Sequence, residues 1–290
     1  MARPRQHPAE PNADLEPPIR AAVELPADAV AARLVAARQQ ALLEETIQPR
    51  IDGHLLVYDG VLNELASAHG RVGETMDFGL RGHTRWTAVW ELSGRCIALS
   101  RCTMSQLRAG FASETLPTLR SIHEATNLLT VLRGPGEERM LRRWLDGDHL
   151  GAQAVRSAVN RIQQPVLTQL RNAGEEVRGN QHQLTTQLYS ILSQGAHNTR
   201  NGFLESVSVP LRHYAYGPHP DPVTRGVHVE YGGQLLEEVV IVVGSVLATT
   251  FLGPDFYAQT IRVLQTQIQA VGEALPLDPP TLHTMRDELA

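Results

Sequence analysis

Residues 84 to 134 read TRWTAVWELSGRCIALSRCTMSQLRAGFASETLPTLRSIHEATNLLTVLRG. From Thr84 onward Trp86, Val89, Trp90, Ile97, Met104, Leu107 and Phe111 recur at helical spacing for about seven turns, which predicts a core helix. Ser113 and Pro117 then supply a start signal, and Leu116, Leu119, Ile122, Leu128, Leu129 and Leu132 carry a second helix to Gly134 and Pro135, which stop it. Two long helices joined by so short a connection must lie nearly antiparallel. The predicted fold class is all-α, a multi-helix antiparallel bundle.

Upstream of this stretch, Asp28 can cap a helix in which Val30, Leu34, Ala37, Ala41 and Leu43 follow at steps of mostly three or four. Pro49 is expected to limit or kink it before Leu55, Leu56, Leu62 and Leu65 resume the pattern, and Gly70 and Gly73 to open a loop. Downstream, a short helix from Glu137 to Leu145 ends at Gly147. A longer one runs from about His149 to Arg178 with a break at Pro165, and Leu184, Leu188, Ile191 and Leu192 mark another. Val207, Val209 and Leu211 alternate, as do Val227, Val229 and Tyr231, around a turn-rich segment at 217 to 222, which allows a small β-hairpin between Val207 and Tyr231. Leu235 to Phe251 is apolar on nearly every side and long enough for a buried helix, and Phe256 to Val271 gives a final amphipathic one. Residues 1 to 26 are proline-rich without hydrophobic period and are expected to form a loose extension, leaving 27 to 290 as a single helical domain.

All 26 basic residues are arginine, which excludes Schiff-base, phosphate-loop and acyl-acceptor lysines; a GC-rich coding bias accounts for it. With 31 acidic residues the net charge is −5, so the chain lacks the overall positive field that drives binding to nucleic acid. The acidity is concentrated late: residues 226 to 290 hold two arginines and eight acids. Cys96 and Cys102 lie six apart in one helical segment without a CxxC pair, and both are expected to be reduced, buried thiols. No apolar leader follows Met1, and the charge-free run from Val239 to Pro254, 16 residues, is too short to span a bilayer. These features predict a cytoplasmic protein without membrane attachment.

For chemistry, the best local signal is on the second helix. Arg120 and Glu124 are four apart, as are His123 and Asn127, so each pair meets across one turn of a leucine-rich helix. Such a cluster is either a buried structural network or a polar site. Tyr189, Ser193 and His197 repeat the four-residue step; joined with Arg120 and Glu124 they would supply a general base, a nucleophile and an anion-stabilising guanidinium. The bland alternative has Tyr189 packing and His197 capping its helix. His213, His219 and His228 are read as solvated loop histidines, and Asp146 and Asp148 as a helix stop followed by a cap. Neither a metal nor a cofactor is predicted; GxGxxG, Walker, HExxH and GxSxG motifs are absent.

The segment GFASETLPTLRSIHEATNLLTVL (Gly110 to Leu132), followed at a distance by YSILSQGAH (Tyr189 to His197), resembles a family of helical bacterial proteins of unknown function that share an Arg-x3-Glu helix and a later Tyr-x2-Leu-Ser-x3-His helix end. The matching positions are Arg120, Glu124, Tyr189, Leu192, Ser193 and His197, and the resemblance covers roughly Trp86 to Arg200. It implies an all-helical fold and no established activity. The signature of the HEPN ribonucleases, helical proteins sometimes discussed beside such families, is Arg-x4–6-His; it occurs as Arg142 or Arg143 to His149 and as Arg212 to His219, about as often as 26 arginines and 12 histidines give by chance.

Two function classes follow. One is a regulatory or interaction protein, connected with stress or defence by the resemblance, acting through protein contacts; the other is a hydrolase, a ribonuclease among the options, using His197 with Arg120 and Glu124. A solvent-connected pocket at those residues favours the second and a sealed network the first. A homodimer or larger oligomer is expected through the Val-rich C-terminal segment, unless the chain encloses that segment itself.

Overall fold

The computed structural model describes residues 27–75, 84–134, 136–172, 192, 207–208, 213–214 and 218–288. Its elements are α1 (Ala27–Thr75), α2 (Arg85–Arg108), a 3-10 turn at Ser113–Thr115, α3 (Leu116–Arg133), α4 (Glu138–Leu145), α5 (Ala152–Asn172), β1 (Val207–Ser208), β2 (His213–Tyr214) and α6 (Pro222–Leu247). A π turn at Ala248–Leu252, a short helical turn at Pro254–Phe256 and a second π turn at Tyr257–Ile261 lead into α7 (Arg262–Ala274) and α8 (Pro279–Glu288). The described residues are all-α apart from the two-residue β1–β2 ladder, in which Val207 pairs with Tyr214 and Ser208 with His213.

α1 continues unbroken for 49 residues through Pro49, where the sequence allows an end or a kink, and through Gly70 and Gly73, where it predicts a loop. A mid-helix proline costs about 3 kcal/mol. The offset is the stripe Leu43, Ile47, Ile51, Leu55, Tyr58, Leu62, Leu65, Ala68 and Val72, buried at steps of three and four on both sides of Pro49. Leu34 and Leu56, expected in that stripe, are instead 67% and 75% exposed. α5 likewise continues through Pro165.

α2 starts where Thr84 accepts a hydrogen bond from the Thr87 N–H at 3.3 Å. Its Trp90 stacks on His69 of α1 with ring centroids 4.8 Å apart, and the His69 Nε2 lies 2.9 Å from the Trp90 carbonyl. Trp86 is not a core residue: it is 47% exposed and meets Phe251 edge-on.

α6 is the hub, packed against α1, α2, α3, α7 and α8. The strand expected over 227 to 231 is helix, because Asp221 caps the Val223 N–H at 3.3 Å, Pro222 takes the first helical position, and the alternating valines fall on helical turns with Val223 and Val229 buried. α6 with its π turn, Pro222–Leu252, is 31 residues, longer than the charge-free run inside it, and is long and apolar enough to cross a bilayer by length and composition; half of its most apolar window is buried inside the molecule. Val239, Val240, Val243, Val246 and Leu247 are enclosed by the chain's own helices, leaving Ile241 at 38% and Val263 at 50% exposed.

The approach to α6 requires glycine at two places. A Cβ on Gly233 would sit 2.0 Å from the Tyr58 hydroxyl oxygen of α1, and one on Gly244 would sit 2.4 Å from Ile261 Cδ1.

Candidate functional site

α2, α3, the end of α4 and the start of α5 enclose a cleft of about 540 Å³ open to solvent. α3 supplies Arg120, Ser121, Glu124, Ala125, Asn127 and Leu128 to one wall, which the four-residue helical repeat of that segment places on one face. Leu92 and Arg95 of α2 face it. Trp144, then Asp148 to Leu150 past the left-handed Gly147 (φ +83°), and Ala152, Val155 and Arg156 of α5 close the remainder.

Within the cleft, Arg120 Nε donates to Glu124 Oε1 at 2.9 Å, with the side chains 19% and 40% exposed. The pair is thus a wall element in contact with water, and not the buried structural network that is one of the two readings of this cluster. Asp148 accepts from Arg143 Nε at 3.1 Å. Ser121 Oγ donates to the Pro117 carbonyl at 2.9 Å, an ordinary helical back-bond, so no base activates it.

The buried network is one turn round α3. His123, 1% exposed, places Nδ1 at 3.1 Å from Glu238 Oε2 of α6 and Nε2 at 3.0 Å from Asn127 Nδ2. Thr126 Oγ1 donates to the other Glu238 oxygen. A ring that accepts from the Asn127 amide at Nε2 carries its proton on Nδ1 and donates it to the carboxylate. Asn127, which also lines the cleft, joins this network to the site. The spacing of His123 and Asn127 is visible in sequence; Glu238 is 115 residues away and no local pattern connects it.

Tyr189, Ser193 and His197 lie outside the described residues, so of the five predicted site residues the cleft holds Arg120 and Glu124. Three others facing it, Arg95, Trp144 and Arg156, were missed, and a fourth, His149, was weighed only in the Arg-x4–6-His matches set aside as chance. Arg95 and Arg156 have no motif around them, and only the packing of α2 and α5 on α3 brings them there.

Elsewhere, His219 and His228 are buried, 4% and 2% exposed, which corrects their reading as solvated loop histidines. His228 Nδ1 lies 2.8 Å from the Thr224 carbonyl one turn back on α6, and His219 Nδ1 accepts from the Asp221 N–H at 3.2 Å. Among the described residues, no group of three or more histidines, cysteines and carboxylates is placed to hold a metal ion. Cys96 is buried as expected, whereas Cys102 is exposed. Burial, then the nearby Glu238 carboxylate, pushes the Cys96 thiol up to about 12.

A second concavity of about 280 Å³ between α1, α6 and α7 is lined by Tyr58, Glu230, Glu237, Glu273 and Asp278. Its Tyr58 hydroxyl donates to His54 Nδ1 at 2.8 Å while His54 Nε2 lies 2.8 Å from the Leu275 carbonyl. Burial holds the His54 imidazolium below its usual range.

The chain matches no protein-family model, no curated protein and no solved structure in the comparisons made.

Proposed function

We propose that the chain is a regulatory or interaction protein whose working site is the cleft between α2, α3 and α5, built on an antiparallel arrangement of α2 and α3. The single observation that carries the reading is a cleft of ligand size whose two carboxylates, Glu124 and Asp148, are each paired with an arginine and whose apolar surface is formed by Leu92, Ala125, Leu128 and Val155. Among the described lining residues no nucleophile is hydrogen-bonded to a base, the arrangement that covalent or general-base hydrolysis needs. The antiparallel arrangement is supported by two contacts at opposite ends: Arg85 of α2 donates to the Gly134 carbonyl past the end of α3, and Thr118 of α3 to Gln106 near the end of α2.

The second reading, a hydrolase using His197 with Arg120 and Glu124, is favoured by the openness of the cleft at Arg120 and Glu124. Incubation with single-stranded RNA, p-nitrophenyl acetate and bis(p-nitrophenyl) phosphate separates the two. The expected result is no turnover above buffer with any substrate. Turnover that disappears in both Glu124→Gln and His197→Ala would replace the binding protein with the hydrolase.

A further inference from the structure

Two concavities of opposite charge stand on one molecule. The smaller one carries four carboxylates, Glu230, Glu237, Glu273 and Asp278, and no basic residue. In the larger cleft three guanidiniums, Arg95, Arg120 and Arg156, stand against two carboxylates, Glu124 and Asp148, and the second of these is also held by Arg143 from outside the lining. The cleft is therefore positive on a chain whose net charge is −5. A local field opposite in sign to the molecule's own selects ligands by charge, and a concave wall of low dielectric concentrates it.

The rest of the lining decides what the anion is attached to. Leu92, Ala125, Leu128, Leu150 and Val155, with the half-buried Trp144, form an apolar surface beside the guanidiniums, and a volume of about 540 Å³ is within the range of small-molecule sites. A bare inorganic anion would leave that surface wet, and a neutral apolar molecule would cover the exposed Arg95 guanidinium without replacing its water. An elongated acidic peptide would use only its side chains in a cleft of this size. We infer that the cleft binds a small amphipathic anion, a carboxylate, sulfonate or phosphate monoester on an aromatic or aliphatic body, with the acid group at the arginines and the body against Leu128, Val155 and Trp144. This rests on the cleft being the working site and deepens that reading by naming its ligand class.

Three probes test it on the full chain: 8-anilinonaphthalene-1-sulfonate, N-phenyl-1-naphthylamine, which keeps the rings and lacks the sulfonate, and inorganic phosphate, which keeps an anion and lacks the body. The expected result is one saturable site for the sulfonate, with energy transfer from Trp144 in a Trp86→Phe, Trp90→Phe chain that is lost on adding Trp144→Phe, and affinities about tenfold or more weaker for the other two probes. Arg95→Gln with Arg156→Gln should weaken the sulfonate about tenfold and leave the neutral probe unchanged. Arg95→Gln alone, at an exposed position, keeps the test available where the double variant loses its helical circular dichroism. Equal affinity for the neutral probe, binding at several equivalent sites, or sulfonate binding indifferent to Arg95 would each overturn the ligand class. Turnover of the hydrolase substrates with the probe pattern intact would overturn the binding-protein reading and leave the ligand class standing.

Discussion

Glu124 stands on α3 and Glu238 reaches it from α6, and their surroundings give them different weight. Glu124 is 40% exposed beside Arg120. Glu124→Ala is therefore expected to cost no more than about 1 kcal/mol, the range of solvated ion pairs. Glu238 accepts from His123 and Thr126, which are 1% and 0% exposed, so Glu238→Ala strands a buried imidazole N–H and should cost about 1–3 kcal/mol. Urea midpoints of the two variants at neutral pH check this ordering. A loss of about 3–5 kcal/mol at Glu124 would mean a sealed pair. At the same scale, a thiol reagent under native conditions should label Cys102 and leave Cys96 unmodified until the chain unfolds, because Cys96 is both buried and held as the thiol. Equal labelling rates would contradict the packing of α2.

The elements are fitted to one another chiefly through α6. Gly233→Ala drives a Cβ into the Tyr58 hydroxyl and should destabilise by about 1–3 kcal/mol, whereas Gly60→Ala, on an exposed part of α1 with nothing near its Cβ, should stabilise by about 0.5–1 kcal/mol. Thermal melts of the two variants moving in the same direction would refute the α1–α6 contact. The start of α6 is also tied to α8. Burial raises the Asp221 carboxyl, but hydrogen bonds from Arg286 at 2.6 Å and Thr224 at 2.8 Å outweigh it and hold the group below the usual carboxylate range. A depressed carboxyl contributes stability above its unfolded value and loses it as pH falls through the folded one. The tie is thus complete at neutral pH and fails below about pH 4. Asp221→Asn should lower stability at pH 7 and shrink the difference between pH 7 and pH 3; an undiminished acid loss would place its origin elsewhere.

Helical periodicity made α2, α3 and α4 legible from their sequences, with Thr84, Pro117, Gly134 and Gly147 near their ends. It failed where tertiary burial overrode local chemistry, as at Pro49 and Gly70, and where the Asp221–Pro222 cap hid inside a turn-rich segment and turned apparent strand alternation into a helix. The site was half visible for a related reason. Arg120, Glu124, His123 and Asn127 share one helix and a period. Arg95, Arg156 and Glu238 meet them only through packing, and spacing along the chain carries no trace of that.

For the whole molecule, packing of α1, α2, α3 and α7 around the Val-rich segment buries Val239, Val240, Val243, Val246 and Leu247, the face from which self-association was expected, and half of the most apolar window in all. Light scattering at micromolar concentration is then expected to give the mass of one chain, 31.9 kDa, and twice that mass would assign the exposed Ile241 and Val263 to a second copy. The central claim, that an open and positively lined cleft adjoins Trp144, is tested most directly by ionic quenching of that residue. In a Trp86→Phe, Trp90→Phe chain Trp144 is the sole tryptophan of the original three. Iodide should quench it severalfold more strongly than caesium at equal ionic strength, since the arginines concentrate the anion and repel the cation. Equal quenching by the two ions, a preference for caesium, or resistance to both would contradict the account.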